Sequence, residues 1–344
     1  MLLAATTSQA ALFFYDGGGA GNSPLTAANW NPDGVPGDFD LAVHNNAAAG
    51  AIEITANWSV DSLRMSNGTS VVQNGGAVTI STGFGPDAGL WVGEFGPGQV
   101  TYTINDGSIS TQDPGDGFFV GRTGGADGVF NLNGGDVAVV GDAHFGLDGT
   151  AVLNQSGGSF VADGIQVGRF QSPTADVNLS GDADFRANGL LLLSDGADPF
   201  LPAVRSDLTI TGSSVLVNAG GLIVRDKGNL NFIADIAGVS PIVLGTAPFE
   251  LESNPIRQSG LTVDLGAYGG APQDDLLLID GGVAAVGSFD GLPEGALVPG
   301  SGGRTITYAG GADGFDVVLV GIPEPTTAAL LALSLAGLVA RHRV

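Results

Sequence analysis

The sequence predicts an all-β fold: a right-handed parallel β-helix (β-solenoid) with N- and C-terminal caps, followed by a single short C-terminal hydrophobic helix. Three observations point there. Glycine makes up 58 of 344 residues, about 17%, against roughly 7% in ordinary proteins, and it follows no collagen period. Val, Ile, Leu and Thr are abundant, while uninterrupted helix-forming stretches are scarce ahead of residue 326, which favours short strands joined by tight turns. Most informative, a unit of strand, tight turn and strand recurs six times.

Residues 1–10 read as a truncated signal-peptide remnant. Met1 to Ala5 is apolar, and Ser8, Gln9 and Ala10 form a small-x-small cleavage pattern ahead of Ala11, but the basic start of a secretory leader is missing. Residues 11–62 are expected to form the N-terminal cap, with Trp30 set among the turn residues Asn29, Asn31, Pro32, Asp33 and Gly34. A solenoid needs such a cap, because a bare terminal coil exposes apolar surface and unpaired strand edges. Trp30 and Trp58 also allow a second reading, an aromatic platform for carbohydrate.

Residues 63–229 carry the repeats. The strand–turn–strand units run from Val71 to Ile80, Tyr102 to Ser110, Phe130 to Val139, Val152 to Val161, Val177 to Phe185 and Leu208 to Val217. Their turns fall at Gly76, Gly107, Gly135, Gly158, Asp182 and Ser213, spaced 31, 28, 23, 24 and 31 residues apart. A third apolar element follows each turn: Leu90 to Val92, Phe118 to Val120, His144 and Phe145, Ile165 to Val167, Leu190 to Leu193, and Leu222 to Val224. Three short strands per coil, with length variation taken up in loops, fit this spacing. A β-sandwich also shows short strands at regular intervals, but the repeated Gly-Gly and Val-Gly landmarks favour stacked coils, whose sharp corners need positive φ or close backbone approach. Residues 230–320, punctuated by Pro241, Pro248, Pro255 and Pro272, are expected to form the last irregular coils and a closing sheet.

The formal charge is −24, from 35 acids and 11 bases, and 29 of the acids are Asp. Asp favours turns because its short side chain bonds nearby backbone N–H groups, so most of the acid belongs to corners. A chain this acidic is repelled by phosphate backbones, which excludes nucleic acid as a partner. The absence of Cys removes disulfides, zinc-thiolate sites and thiol nucleophiles.

Candidate chemistry is sparse. Asp313 and Asp316 lie in a Gly-Gly-Ala-Asp-Gly-Phe-Asp stretch and Asp127 in Gly-Gly-Ala-Asp-Gly, both weakly related to calcium-binding nonapeptides but off-register and not in tandem, so ordinary Asp-Gly turns account for them better. The residues after the third strand align as Glu94, Arg122, Leu147, Arg169 and Asp195, so neighbouring rungs are expected to place Glu94 beside Arg122. Such a row serves either as structural pairing or, as in polysaccharide lyases and hydrolases, as a catalytic face. His44 and His144 are isolated, His342 lies in the tail, Lys227 is the single lysine, and no Ser-His-Asp order, metalloprotease helix or phosphate loop is present; no catalytic residue and no cofactor is assigned.

The tail, residues 321–344, is the most specific segment. Pro323, Glu324 and Pro325 precede an apolar run from Thr326 to Ala340 that includes Leu330, Leu331, Leu333, Leu335 and Leu338, and Arg341, His342 and Arg343 close it. Tripeptide, hydrophobic run and basic end, in that order over residues 323–344, resemble the PEP-CTERM sorting signal. The resemblance implies export, membrane retention through the tail and processing by an exosortase-type protease. The upstream chain is similar to the Gly-rich, autotransporter-like β-solenoid precursors that bear such tails. The apolar run spans 15 residues, about 22 Å as a helix against a hydrocarbon core near 30 Å, which suits a temporary handle better than a permanent span.

The expected function is that of an exported, non-enzymatic structural or adhesive protein of the cell surface or extracellular matrix. It is held at the membrane by the tail at least transiently, with exopolysaccharide as a candidate partner. A carbohydrate-active β-helix enzyme and a calcium-stabilised surface binding module are the alternatives.

Overall fold

The computed structural model describes residues 10–81, 88–112, 117–169, 174–195, 205–225, 227–254 and 257–322. The chain winds as a β-solenoid of about eight turns, and its only helical segments among the described residues are the short 3-10 turns Ala27–Asn29 and Ala47–Ala49. The expected short C-terminal helix, like residues 1–9 of the expected signal remnant 1–10, lies outside the described residues.

Each coil contributes one strand to each of three parallel columns. The first column stacks Ile52–Ile54, 71–73, 101–104, Asp127–Leu132, Thr150–Gln155, Thr174–Leu179, Arg205–Thr211, Gly228–Ile233 and Gly260–Asp264. The second runs from Trp58–Val60 through 136–139, 159–162 and 184–187 to Ile242–Leu244 and Leu276–Asp280. The third begins lower, at Leu12–Tyr15 and Leu41–His44, and rises through Ser62–Met65, Gly89–Val92 and Phe118–Val120 to Phe249–Leu251 and Val286–Gly287. The expected three strands per coil are therefore present, and the chain is a stack of coils rather than a sandwich.

Alternation of side chains builds the core. On the first column Tyr102, Ile104, Phe130 and Leu132 point inward and are fully buried, while Thr103 and Asn131 between them face outward. Aromatic rings fill the centre of the middle coils: Phe118 packs edge-on against Phe130 at 5.2 Å and Phe160 at 5.3 Å, and Phe160 stacks on Phe185 at 5.8 Å. Each such ring contributes large apolar burial plus about 0.5–1.5 kcal/mol of ring–ring attraction.

Glycine at the corner between the first two columns sets how closely coils stack. Gly158 has φ 68°, and a Cβ there would sit 2.2 Å from the Gly135 carbonyl oxygen one coil below. Two inward glutamines brace this corner: the amide of Gln73 donates to the carbonyls of Gly76 and Ser108, at 3.0 Å each, and that of Gln155 does the same to Gly158 and Asp184. In the fourth to seventh coils the corner between second and third columns is a register shift inside one strand, as between Val139 and Asp142, whereas in the second and third coils longer segments join the columns. This explains why turns 135 and 158 lie closer in sequence than turns 76 and 107.

The N-terminal end is closed by a buried aromatic plug. Trp30 is 0% and Trp58 3% exposed, their indole N–H groups donate to the carbonyls of Pro24 and Pro36, and Tyr15 packs edge-on to both Trp30 and His44. The carbohydrate-platform reading of Trp30 and Trp58 is thereby overturned, because neither ring has a face open to a ligand. At the other end Thr305–Gly310 and Asp316–Val320 pair antiparallel, and the latter pairs antiparallel with Leu276–Asp280, closing the top coil.

Candidate functional site

The closing sheet leads directly into the tail. Asp316–Val320 is the inner strand of the closing sheet, and beyond it the Gly321 N–H donates to Asp275 at 2.8 Å and the Ile322 N–H to the Pro272 carbonyl at 3.0 Å. The loop that accepts these bonds is itself held by Arg304. This side chain is only 3% exposed, and its guanidinium donates to the carbonyls of Asp274, Ala271 and Ser301 at 3.1, 2.9 and 3.0 Å and lies over the Tyr268 ring. A buried guanidinium satisfied by backbone carbonyls turns an irregular loop into a fixed clamp. The assigned residues Pro323, Glu324, Pro325, Thr326, Leu330, Leu331, Leu333, Leu335, Leu338, Arg341 and Arg343 lie outside the described residues, directly after this clamp. Among the described residues no helix is long and apolar enough to cross a membrane.

The aligned row after the third column stacks in register, with the Arg122 N–H on the Gly93 carbonyl, Leu147 on Gly121 and Arg169 on Gly146, and Arg169 opposite Asp195. Its side chains act on an outward aromatic row that sequence reasoning treated as simple strand. Trp91, Phe119 and His144 occupy successive outward positions of the third column and are nevertheless 1%, 4% and 1% exposed. The guanidinium of Arg64 from the coil below lies 3.8 Å from the Trp91 ring centre, and that of Arg122 from the coil above lies 3.7 Å from it. Phe119 then stacks on His144 at 5.0 Å. Glu94 sits 3.5 Å from Arg64, a charge partner one coil down that the sequence spacing did not suggest. Arg64 and Arg122 thus pack on the Trp91 ring, and Glu94 pairs with Arg64.

The first column presents the regular polar surface. Asn178 donates to Asn154, and Asn154 to Asn131, at 3.0 Å each, Asn131 continues to Thr103 at 3.2 Å, and Asn231 donates to Thr209 higher up. A second amide row climbs the adjoining corner, Asn133 to Asn105 to Asn74, at 2.9 and 2.8 Å. Amides on strands about 4.8 Å apart reach the next coil without strain, which is why Asn recurs at these positions.

The three calcium candidates are not brought together. Asp127 is exposed at the start of its first-column strand in the middle of the solenoid, whereas Asp313 and Asp316 sit in the hairpin of the closing sheet. Asp316 accepts from the Gly281 N–H and Asp313 from the Phe315 N–H. Partial burial, with the Asp313 and Asp280 carboxylates nearby, holds Asp316 above the usual carboxylate range despite the Gly281 N–H. Among the described residues no group of three or more His, Cys, Asp or Glu has the geometry to hold a metal ion. Elsewhere Asp235 works as a corner brace: Ser213 donates to it through both amide and hydroxyl, and Ala237 and Gly238 through their amides, which lowers its carboxyl to about 2.

No curated protein and no solved structure matches the chain. The family description that does match is the PEP-CTERM protein-sorting motif, over residues 321–344, so this β-solenoid carries a PEP-CTERM tail, the mark of an exported protein that is anchored transiently at the membrane and processed by an exosortase.

Proposed function

We infer that the chain is a non-enzymatic structural or adhesive protein, delivered by its tail to the cell surface or the extracellular matrix, where it meets exopolysaccharide through the polar face of a right-handed solenoid. The observation that carries this reading is the hand-off at Ile322, where the clamped closing sheet passes directly into the matched motif at residues 321–344. A body closed by its own clamp keeps its fold when the tail is cut, as a released structural protein must. The amide rows of the first column support the partner class: amides already tied to one another keep a free donor or acceptor site outward, a regular surface for sugar hydroxyls. The right-handed sense follows the general preference of parallel crossover connections. The body needs no cofactor in this account, so a melting temperature unmoved by chelator is expected, and a drop of more than a few degrees would establish the calcium-stabilised alternative instead. The function itself is tested by deleting residues 323–344 and fractionating the cells. The shortened body is expected to fold and to disappear from the membrane and surface fractions; persistence at the surface would contradict the role given to the tail.

A further inference from the structure

The outer face of the closing sheet carries two exposed apolar side chains, Leu297 and Ile322, beside the half-buried Leu277, Val318 and Val320. Segment 295–298, Thr305–Gly310, Asp316–Val320 and Leu276–Asp280 lie side by side, and Leu278, Ile306, Val317 and Leu319 on the inner face are fully buried against the top coil. The opposite face of a one-sided antiparallel sheet is ordinarily polar. Here Leu277 stands opposite Val318, Val320 opposite Thr305, and Leu297 on the far side of Thr305. Leu297 is 66% exposed, and Ile322, where the chain leaves the sheet, is 43% exposed.

Chain length says what covers this face. Thr326, the first residue of the apolar run, is four residues beyond Ile322 and so at most about 14 Å away even when fully extended. Whatever takes up Thr326 to Ala340 necessarily brings Ile322 to within that distance of its surface, and Leu297 lies on the same sheet, across Thr305 from Val320. A body of formal charge −24 gains nothing from anionic headgroups, so the contact has to be apolar. We propose that the outer face of the closing sheet is a lipid-contact surface that seats the solenoid end-on against the bilayer while the tail is uncut. The proposal rests on the reading that the tail is held in a membrane.

The test uses the full chain with vesicles of phosphatidylcholine and compares wild type, Leu297→Asp and, as a control on an exposed Leu away from this sheet, Leu216→Asp. Both leucines are exposed, so circular dichroism should show the fold unchanged. Wild type and Leu216→Asp are expected to float with vesicles equally, and Leu297→Asp to partition about tenfold more weakly. Since the chain has no Cys, a single environment-sensitive dye on Leu297→Cys should shift to the blue when vesicles are added, and one on Leu216→Cys should not. Equal flotation of all three chains overturns the lipid contact while leaving the tail reading intact. Failure of wild type to float overturns both. A blue shift at position 297 that grows with protein concentration in the absence of lipid shows that a second copy covers the face, and also overturns the proposal.

Discussion

Arg304 and Ile322 grip the same loop: the guanidinium takes the carbonyls of Ala271 and Asp274, and the Ile322 N–H takes the Pro272 carbonyl between them. Ile322, at the start of the matched tail, is thus tied to the cap through one buried cation. Arg304→Met keeps the apolar stem but removes a guanidinium donor from three carbonyls, of which Ala271 keeps the Asp274 N–H, and should cost about 2–4 kcal/mol in denaturant unfolding. Amide exchange should rise first in residues 271–275 and 316–322, and protection unchanged there would refute the clamp.

Stacking of the corners is equally exposed to test. Gly158→Ala forces a Cβ into the Gly135 carbonyl at a backbone angle that Ala disfavours, and Phe160→Ala removes a ring packed against three others. The first should destabilise by about 1–3 kcal/mol and the second by about 3–5 kcal/mol, both read as a lowered denaturation midpoint.

The aromatic row of the third column has an optical readout. With Trp30 and Trp58 buried in the cap, Trp91 is the third indole, held between Arg64 and Arg122. Arg122→Met should shift the tryptophan emission and cost about 0.5–2 kcal/mol, and an unchanged emission would contradict the stacking.

Acid should loosen the N-terminal plug. Burial lowers the His44 ring to about 4, against 6.5 for the free group. Between these values the unfolded chain binds a proton that the folded chain refuses, so stability falls as pH drops from 6.5 towards 4 and the loss is complete below 4. The full effect is on the order of 3 kcal/mol. His44→Gln should flatten that part of the stability profile; an unchanged slope would assign it to the carboxylates instead. Asp235 acts in the same direction over a lower range, since its contribution is present above about 4 and lost as pH falls towards 2.

The coil architecture was legible because it is written in local rules. Gly-Gly at the corners, alternating Val, Ile and Phe on the strands, and the Val-Gly ends of the third strand each answer to backbone sterics within a few residues. The features that were not legible depend on contacts across coils. Trp91 faces outward by alternation yet is buried under residues from the coils on either side, and Arg304 is a basic residue in a glycine-rich turn until the fold brings Ala271 and Asp274 to it. Trp30 and Trp58 resemble a binding platform in sequence, and only the positions of Pro24 and Pro36 show them to be a plug. The tail was readable for a different reason: its message lies in residue order rather than in tertiary contacts.

The central claim, that the solenoid is cargo delivered through its tail, is tested most directly by mass spectrometry of the mature C-terminus of the released protein, in cells with and without the sorting protease. The account predicts a released chain shortened within or next to residues 323–344 when the protease is present, and membrane-held full-length chain when it is absent. Released protein that still ends in Val344 would contradict it.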